Sequence, residues 1–303
     1  MSNVPSKYGF NFAFFDILGF GDKISKPGGL ELIKDVYIKL TEIINEHNET
    51  YHKLKTIMPT GVYGTSDGAY TLYEVNILYG SDSIFVWSDR TWEELKMVNN
   101  DVSKIFHATP YFGKPRICDP FLDICNELIC KALELGFMLR GAMSMGEGYF
   151  DFSKHIFLGK PIVDAVKLEG IQELVGASFH LTFEEQKIPN RFRIKFNNYI
   201  PDYKHGRKTE KETKTNEYVL DWPRHWRNTR DTDLADVINN IDFASQSVKK
   251  ANTLRLITES NKYSTMYESD DDRNVYNVYP EIYSKTDGVM LRLIDDNGNV
   301  LIL

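Results

Sequence analysis

Residues 10–18, FNFAFFDIL, are almost continuously apolar and predict a strand buried on both faces. The next stretch, GGLELIKDVYIKLTEIINEHNETYHKLK, places Leu30, Ile33, Val36, Tyr37, Leu40 and Ile43 at helical spacing, which predicts a long amphipathic helix entered through Pro27, Gly28 and Gly29. From Val62 to Trp87 the chain is rich in Tyr, Val, Ile and Phe, and predicts two or three strands with turns near Gly64–Gly68 and Gly80–Asp82. Helical period returns in TWEELKMVNNDVSKIF and in DPFLDICNELICKALELG, the latter closed by Gly136 as a C-terminal cap. FMLRGAMSMGEGYFD alternates as a strand with a turn predicted at Gly146–Gly148. KPIVDAVKLEGIQELVG predicts a helix with Pro161 in its first turn, and ASFHLTF predicts a further strand.

Beyond about Arg191 the pattern weakens. YKHGRKTEKETKTNE has no apolar period and predicts an exposed loop or hairpin tip; YVLDWPRHW restores apolar anchors. One helix is predicted across DLADVINNIDFASQSVKKANTLRLITESNKY, and GVMLRLI and NVLIL, joined by DDNGN, predict a terminal β-hairpin. Long helices fall between strand pairs rather than after every strand. That order favours an α+β fold on an antiparallel sheet, with a core over residues 8–185 and a C-terminal α/β elaboration over 186–303 packed on it.

Composition narrows the chemistry. A chain of 303 residues with 42% hydrophobic content buries a sizeable core, and a net charge of −7 leaves no basic footprint for nucleic acid or an anionic membrane. A highly charged small substrate therefore needs a local positive centre or metal ions. The N-terminus has no charged region followed by an apolar one and no window reaches membrane-span length, so a cytoplasmic protein is expected. Cys118, Cys125 and Cys130 lack the spacing of a zinc pair or a redox motif, and read as buried thiols of a reducing compartment.

One position resists the core-building reading: Asp16, a carboxylate inside the first apolar strand. Such a group is costly unless neutral, paired or metal-bound. Asp82, in ILYGSDSIFVW, occupies a similar place where a turn re-enters an apolar strand. In a βαββ sheet the first strand lies against that hairpin, so the two aspartates come side by side. There they would share a proton or hold hard divalent cations; each alone also suits a turn or a helix cap.

Four segments in this order, FAFFDILGFGD, YGSDSIFVW, LRGAMSMGEG and FLGKPIVDAVKLEG, resemble the class III nucleotide cyclases, the family of adenylate and guanylate cyclase catalytic domains. The resemblance covers roughly residues 8–185 and implies a ferredoxin-like palm, a βαββαβ core, as the catalytic domain. It implies that Asp16 and Asp82, with the carbonyl of Ile17, hold two Mg²⁺ or Mn²⁺ ions, and that Leu18, Gly19, Phe20 and Gly21 cradle a triphosphate. It further implies a homodimer whose active sites lie between subunits.

Departures from the family pattern point to a branch of it. Purine cyclases read the base from positions that here carry Leu78 and Ile156, neither able to make the polar contact; Tyr79, one residue away, is either a polar reader or a packing tyrosine. Transition-state asparagine and arginine are replaced by Val163 and Lys167, and Lys167 brings charge without a bidentate fork. Arg140 is a candidate second cation, or a residue that pairs with a carboxylate. With the WPxxW segment of the added C-terminal region, the chain looks most similar to the pyrimidine cyclases of bacterial anti-phage defence, which make cyclic UMP or cyclic CMP to activate a separate effector protein. The competing expectations are an inactive nucleotide-binding sensor, a purine cyclase with atypical base contacts, and a diguanylate cyclase, whose GGDEF-type turn is absent from the sequence.

Overall fold

The structure is a computed structural model that describes residues 9–57, 62–65, 68–71, 73–91, 119–151, 154–183, 188, 192–196, 215–243, 246–267, 281–285, 288–294 and 300–302. The chain divides into two compact units, Met1–Ser260 and Asn261–Leu303.

Strand β1 (Gly9–Ile17) leads through the short helix α1 (Phe20–Ile24) into the long helix α2 (Gly29–Ile57). The hairpin β2 (Val62–Thr65) and β3 (Gly68–Thr71) forms a small sheet of its own, and is followed by the hairpin β4 (Val75–Gly80) and β5 (Ser83–Thr91). Helix α3 (Asp119–Glu134), strands β6 (Leu139–Asp151) and β7 (Ile156–Gly159), helix α4 (Lys160–Ile171) and strand β8 (Gly176–His180) complete the first part. After it come β9 (Arg193–Lys195), β10 (Thr215–Leu220), α5 (Trp222–Thr229), α6 (Leu234–Asn240) and α7 (Ser247–Tyr267).

The main sheet runs in the order β4-β5-β1-β6-β8-β10-β9, with β7 paired to β6. Neighbours are antiparallel except β6 and β8, which the α4 crossover makes parallel. The fold is thus α+β on a mostly antiparallel sheet, and β1 lies inside it with a partner on either side. That position explains the apolar run: Phe12, Ala13, Phe14 and Phe15 are all buried because both faces of the strand are covered.

Helix α2 turns Ile33, Val36, Leu40, Ile44 and Tyr51 inward and packs on α3 and β4. Helix α4 lays Ala165 and Leu168 on Phe12, Phe14, Trp87 and Ala142. Leu78 joins this second cluster, while its neighbour Tyr79 bonds to α2, so α2 and α4 cover opposite faces. Beyond residue 185 the chain continues the same sheet: β10 pairs with β8, and β9 with β10. In the second unit, β11 (Glu281–Lys285), β12 (Gly288–Ile294) and β13 (Val300–Ile302) form an antiparallel three-stranded sheet that contains the expected terminal hairpin.

Several expectations change. β6 passes straight through Gly146–Gly148 with no turn, because these glycines serve close approach instead. A Cβ on Gly146 would lie 3.1 Å from the Pro161 ring, and one on Gly148 would lie 2.6 Å from the Phe150 ring. Helix α4 ends at Ile171, earlier than predicted, where the buried Gln172 side chain donates to the Gly176 carbonyl at 2.8 Å. The helix predicted over 233–263 is broken into α6 and α7, with Phe243 buried between them and its carbonyl accepting from the Gln246 N–H at 2.8 Å. The helix predicted in TWEELKMVNNDVSKIF, apart from Thr91, which ends β5, lies outside the described residues, as do Cys118 and most of YKHGRKTEKETKTNE. Cys125 and Cys130 are free and buried, and burial pushes both thiols up, which makes them inert. Among the described residues no helix is long and apolar enough to cross a membrane.

Candidate functional site

Asp16 is half-buried, one residue before β1 ends and gives way to the Leu18–Gly19 turn. Antiparallel pairing puts it opposite Ser83 on β5 and opposite Arg140 on β6. Asp82 completes the two-residue turn between β4 and β5, where Ser81 takes the left-handed backbone (φ 59) that tight hairpins demand. This turn is stapled to the end of β1, since the Ile17 N–H donates to the Asp82 carbonyl at 3.0 Å. The juxtaposition expected from sequence is therefore present: both aspartates stand at one end of the central strand.

The electrostatics agree. Burial pushes the Asp16 carboxyl up; the Arg140 guanidinium pulls it down, and the Asp82 charge pushes it up again, leaving it raised. Tyr37 of α2, whose hydroxyl donates to the Ser81 carbonyl, has its phenol pushed up to about 12 by burial and then by the Asp82 and Asp16 charges. It is a neutral donor that fixes the turn.

Arg140 is committed to carboxylates. Its Nη2 donates to Asp16 Oδ2 at 3.3 Å, and its Nε forms an ion pair with Glu169 of α4. The three side chains are 17%, 22% and 7% exposed for Arg140, Asp16 and Glu169, so the row is largely shielded from solvent. Neither Glu169 nor its pairing was anticipated, because nothing in the sequence brings position 169 to position 140. Gly141, next in the RGA segment, has a steric role: a Cβ there would lie 2.5 Å from the Phe14 carbonyl and strike the Phe15 ring.

The turn after β1 keeps its glycines open. Gly19 adopts φ +73 as the residue before α1, and a Cβ at Gly19 or Gly21 would meet nothing within 4 Å. The amides at the start of α1 have no partner within the helix and border this space. Leu18 is buried, and its N–H is already given to the Met138 carbonyl at 3.0 Å, which leaves Gly19, Phe20 and Gly21 as the amides of any cradle. Lys23 anchors the turn by donating to the Gly136 carbonyl at 3.0 Å and lying 4.3 Å over the Phe137 ring.

The remaining candidates do not converge on Asp16. Leu78 packs under α4. Tyr79 faces α2, stacked on Tyr37 at 4.2 Å between ring centroids, with its hydroxyl 3.0 Å from the Tyr37 carbonyl and 2.9 Å from Thr41 Oγ1. Burial pushes its phenol up to about 12, so Tyr79 is a packing tyrosine with satisfied bonds. Ile156 on β7 and Val163 and Lys167 on α4 are exposed, as are Leu158 and Val166. An apolar row thus follows β7 into the outward side of α4, with Lys167 beside it.

The donor set at Asp16 and Asp82 suits a hard divalent cation: two carboxylates and the Ile17 carbonyl supply oxygen only, and the two half-buried carboxylates repel each other, a repulsion that Arg140 offsets only in part. Among the described residues no three His, Cys, Asp or Glu side chains gather to hold an ion, so an ion at this place would need backbone, water or substrate oxygens besides. No family model matches the chain, and a search of the curated proteins finds no match.

Proposed function

We propose that the protein is a nucleotide cyclase of the class III kind, acting on a pyrimidine nucleoside triphosphate, UTP or CTP, and releasing the 3′,5′-cyclic nucleotide and pyrophosphate. The observation that carries this reading is the pairing of Asp16 and Asp82 at the end of β1, in a β4-β5-β1-β6 strand order that is also the order of a ferredoxin-like palm. Its biological setting, on the resemblance, is a cytoplasmic signal in anti-phage defence read by a separate effector protein.

Asp16, Asp82 and the Ile17 carbonyl would hold Mg²⁺ or Mn²⁺, which when bound supplies acidity to the ribose 3′-hydroxyl and countercharge to the phosphates. In the reaction the 3′-oxygen loses its proton and forms a bond to the α-phosphorus, the bond from that phosphorus to the bridging oxygen breaks, and pyrophosphate carries the electron pair away. The amides of Gly19, Phe20 and Gly21 orient the outer phosphates. Arg140, beside Asp16, supplies fixed positive charge once Asp16 has another partner. Ile156 and Lys167 are exposed, and the exposed apolar row beside them supports a homodimer in which they serve the partner's site.

One observation favours a second reading. Arg140 already neutralises Asp16, and the family's transition-state positions hold Val163 and Lys167, as an inactive nucleotide-binding sensor would allow. Incubation of the purified full chain with each ribonucleoside triphosphate and Mn²⁺ or Mg²⁺, with mass identification of products, separates the readings. Cyclic UMP or cyclic CMP is expected. Product from ATP or GTP alone overturns the pyrimidine assignment, and no product from any overturns catalysis. Asp16→Ala and Asp82→Ala are each expected to abolish turnover while the variants still melt cooperatively.

A further inference from the structure

A helix from the C-terminal region is tied to the segment that enters β8, two strands across the sheet from Asp16. Helix α7 is fixed to the segment before β8: Asn252 Nδ2 donates to the Glu173 carbonyl at 2.8 Å, and the Val175 N–H donates to Thr253 Oγ1 at 3.0 Å. That segment runs directly into Gly176, the residue paired with Arg140 across β6 and β8, and Arg140 is in turn paired with Asp16 across β6 and β1. Lys249, in the first turn of α7, is tied to Glu173 at 2.9 Å, with the two side chains only 14% and 9% exposed. After burial, Arg140 and Asp82, the Lys249 ammonium is one of the charges acting on the Asp16 carboxyl.

A nearly buried lysine is expensive, and an ordinary docking contact for α7 does not require one. An ammonium has three N–H donors, so the contact with Glu173 leaves donors to spare. The chain carries −7 overall, Lys167 faces outward, and Arg140 is held between two carboxylates. Among the described residues Arg140 and Lys249 are cations whose charges act at Asp16, and Lys249 is held in place by Glu173.

We infer that Lys249, carried by the C-terminal helix α7 and positioned by Glu173, contacts the anionic phosphate end of the ligand at the Asp16–Asp82 site. This rests on the reading of that site as a polyphosphate site, and it assigns to the C-terminal region a direct part in binding. Glu173 acts through Lys249 as a positioning residue.

The test is isothermal titration of the full chain with inorganic tripolyphosphate and Mg²⁺, comparing wild type with Lys249→Gln, Lys249→Arg and the double variant Glu173→Gln/Lys249→Gln, which leaves no unpaired buried charge. Lys249→Gln and the double variant are expected to weaken binding by about tenfold or more, with a shallower salt dependence, while Lys249→Arg keeps most of it. Affinity within about twofold of wild type in the folded double variant overturns the inference, as does absence of tripolyphosphate binding to wild type. A merely structural lysine would lower the melting temperature and leave affinity alone. Should wild type bind tripolyphosphate through Lys249 but cyclise no nucleotide, the cyclase reading fails and this inference stands. Should it cyclise UTP or CTP with KM unchanged by Lys249→Gln, the inference alone fails.

Discussion

Glu127 shows how far a single carboxylate can tie the structure together. It projects from α3 and accepts from Arg230 through both oxygens, at 2.6 and 2.5 Å, and from His225 Nε2 at 2.9 Å. Burial alone would raise its carboxyl, but the His225 and Arg230 bonds overcome burial and hold it at about 2, against an ordinary 4.5. Because the folded value lies below the unfolded one, the stabilisation is complete above about pH 4.5 and is lost as pH falls toward 2. The expected size is about 3 kcal/mol, and urea unfolding between those pH values should show a falling midpoint that Glu127→Gln flattens. Asp16 was legible in the sequence for a simple reason, a charge inside an apolar run. Its partner Arg140, 124 residues away, and the Glu169 that grips Arg140 were not, because such pairings are set by sheet register and helix crossover.

Among the elements, those with a strong period were read well and those punctuated by glycine were not. β1, α2 and α3 declare themselves through burial on one or both faces. The glycines of β6 were mistaken for a turn because the sequence does not distinguish a glycine that bends the chain from one that admits a neighbour. Gly141 is of the second kind. Gly141→Ala would press on the Phe14 carbonyl, which belongs to the paired strand and cannot swing aside, so a loss of about 2–4 kcal/mol is expected in chemical denaturation. By contrast Gly136, at the C-terminus of α3, has open space and φ +76, so Gly136→Ala should cost only about 1 kcal/mol, from backbone strain alone.

On the scale of the first unit, the part of it after residue 185 is not an appendage to the sheet. β10 covers the edge of β8, Trp222 at the start of α5 is fully buried and donates from Nε1 to the Val175 carbonyl at 3.2 Å, and Arg230 closes on Glu127. A chain cut after residue 185 should therefore fail to melt cooperatively, as circular dichroism would show. With the proposed homodimer, the exposed row on β7 and α4 makes a separate prediction: Leu158→Asp and Val163→Asp should lower the molar mass in light scattering from that of a dimer to that of a monomer, abolish the proposed turnover, and change the melting temperature little. The order of elements along the chain and the place of β1 against the β4-β5 hairpin were legible, while the parallel pairing of β6 with β8 was not; β9 and β10 were hidden by a polar stretch with no period.

The placement of Asp16 has a consequence for how such a molecule can change over time. Its strand is bonded on both sides, so the place of the Asp16 carboxylate is fixed by the register of two neighbouring strands. Ile156, Val163 and Lys167 are on the outside, where replacement disturbs little packing. On the proposed reading, base preference can then drift at Ile156, and the transition-state positions at Val163 and Lys167, through substitutions that leave the folding free energy nearly untouched, so that an ancestral chemistry can acquire a new alphabet without being rebuilt.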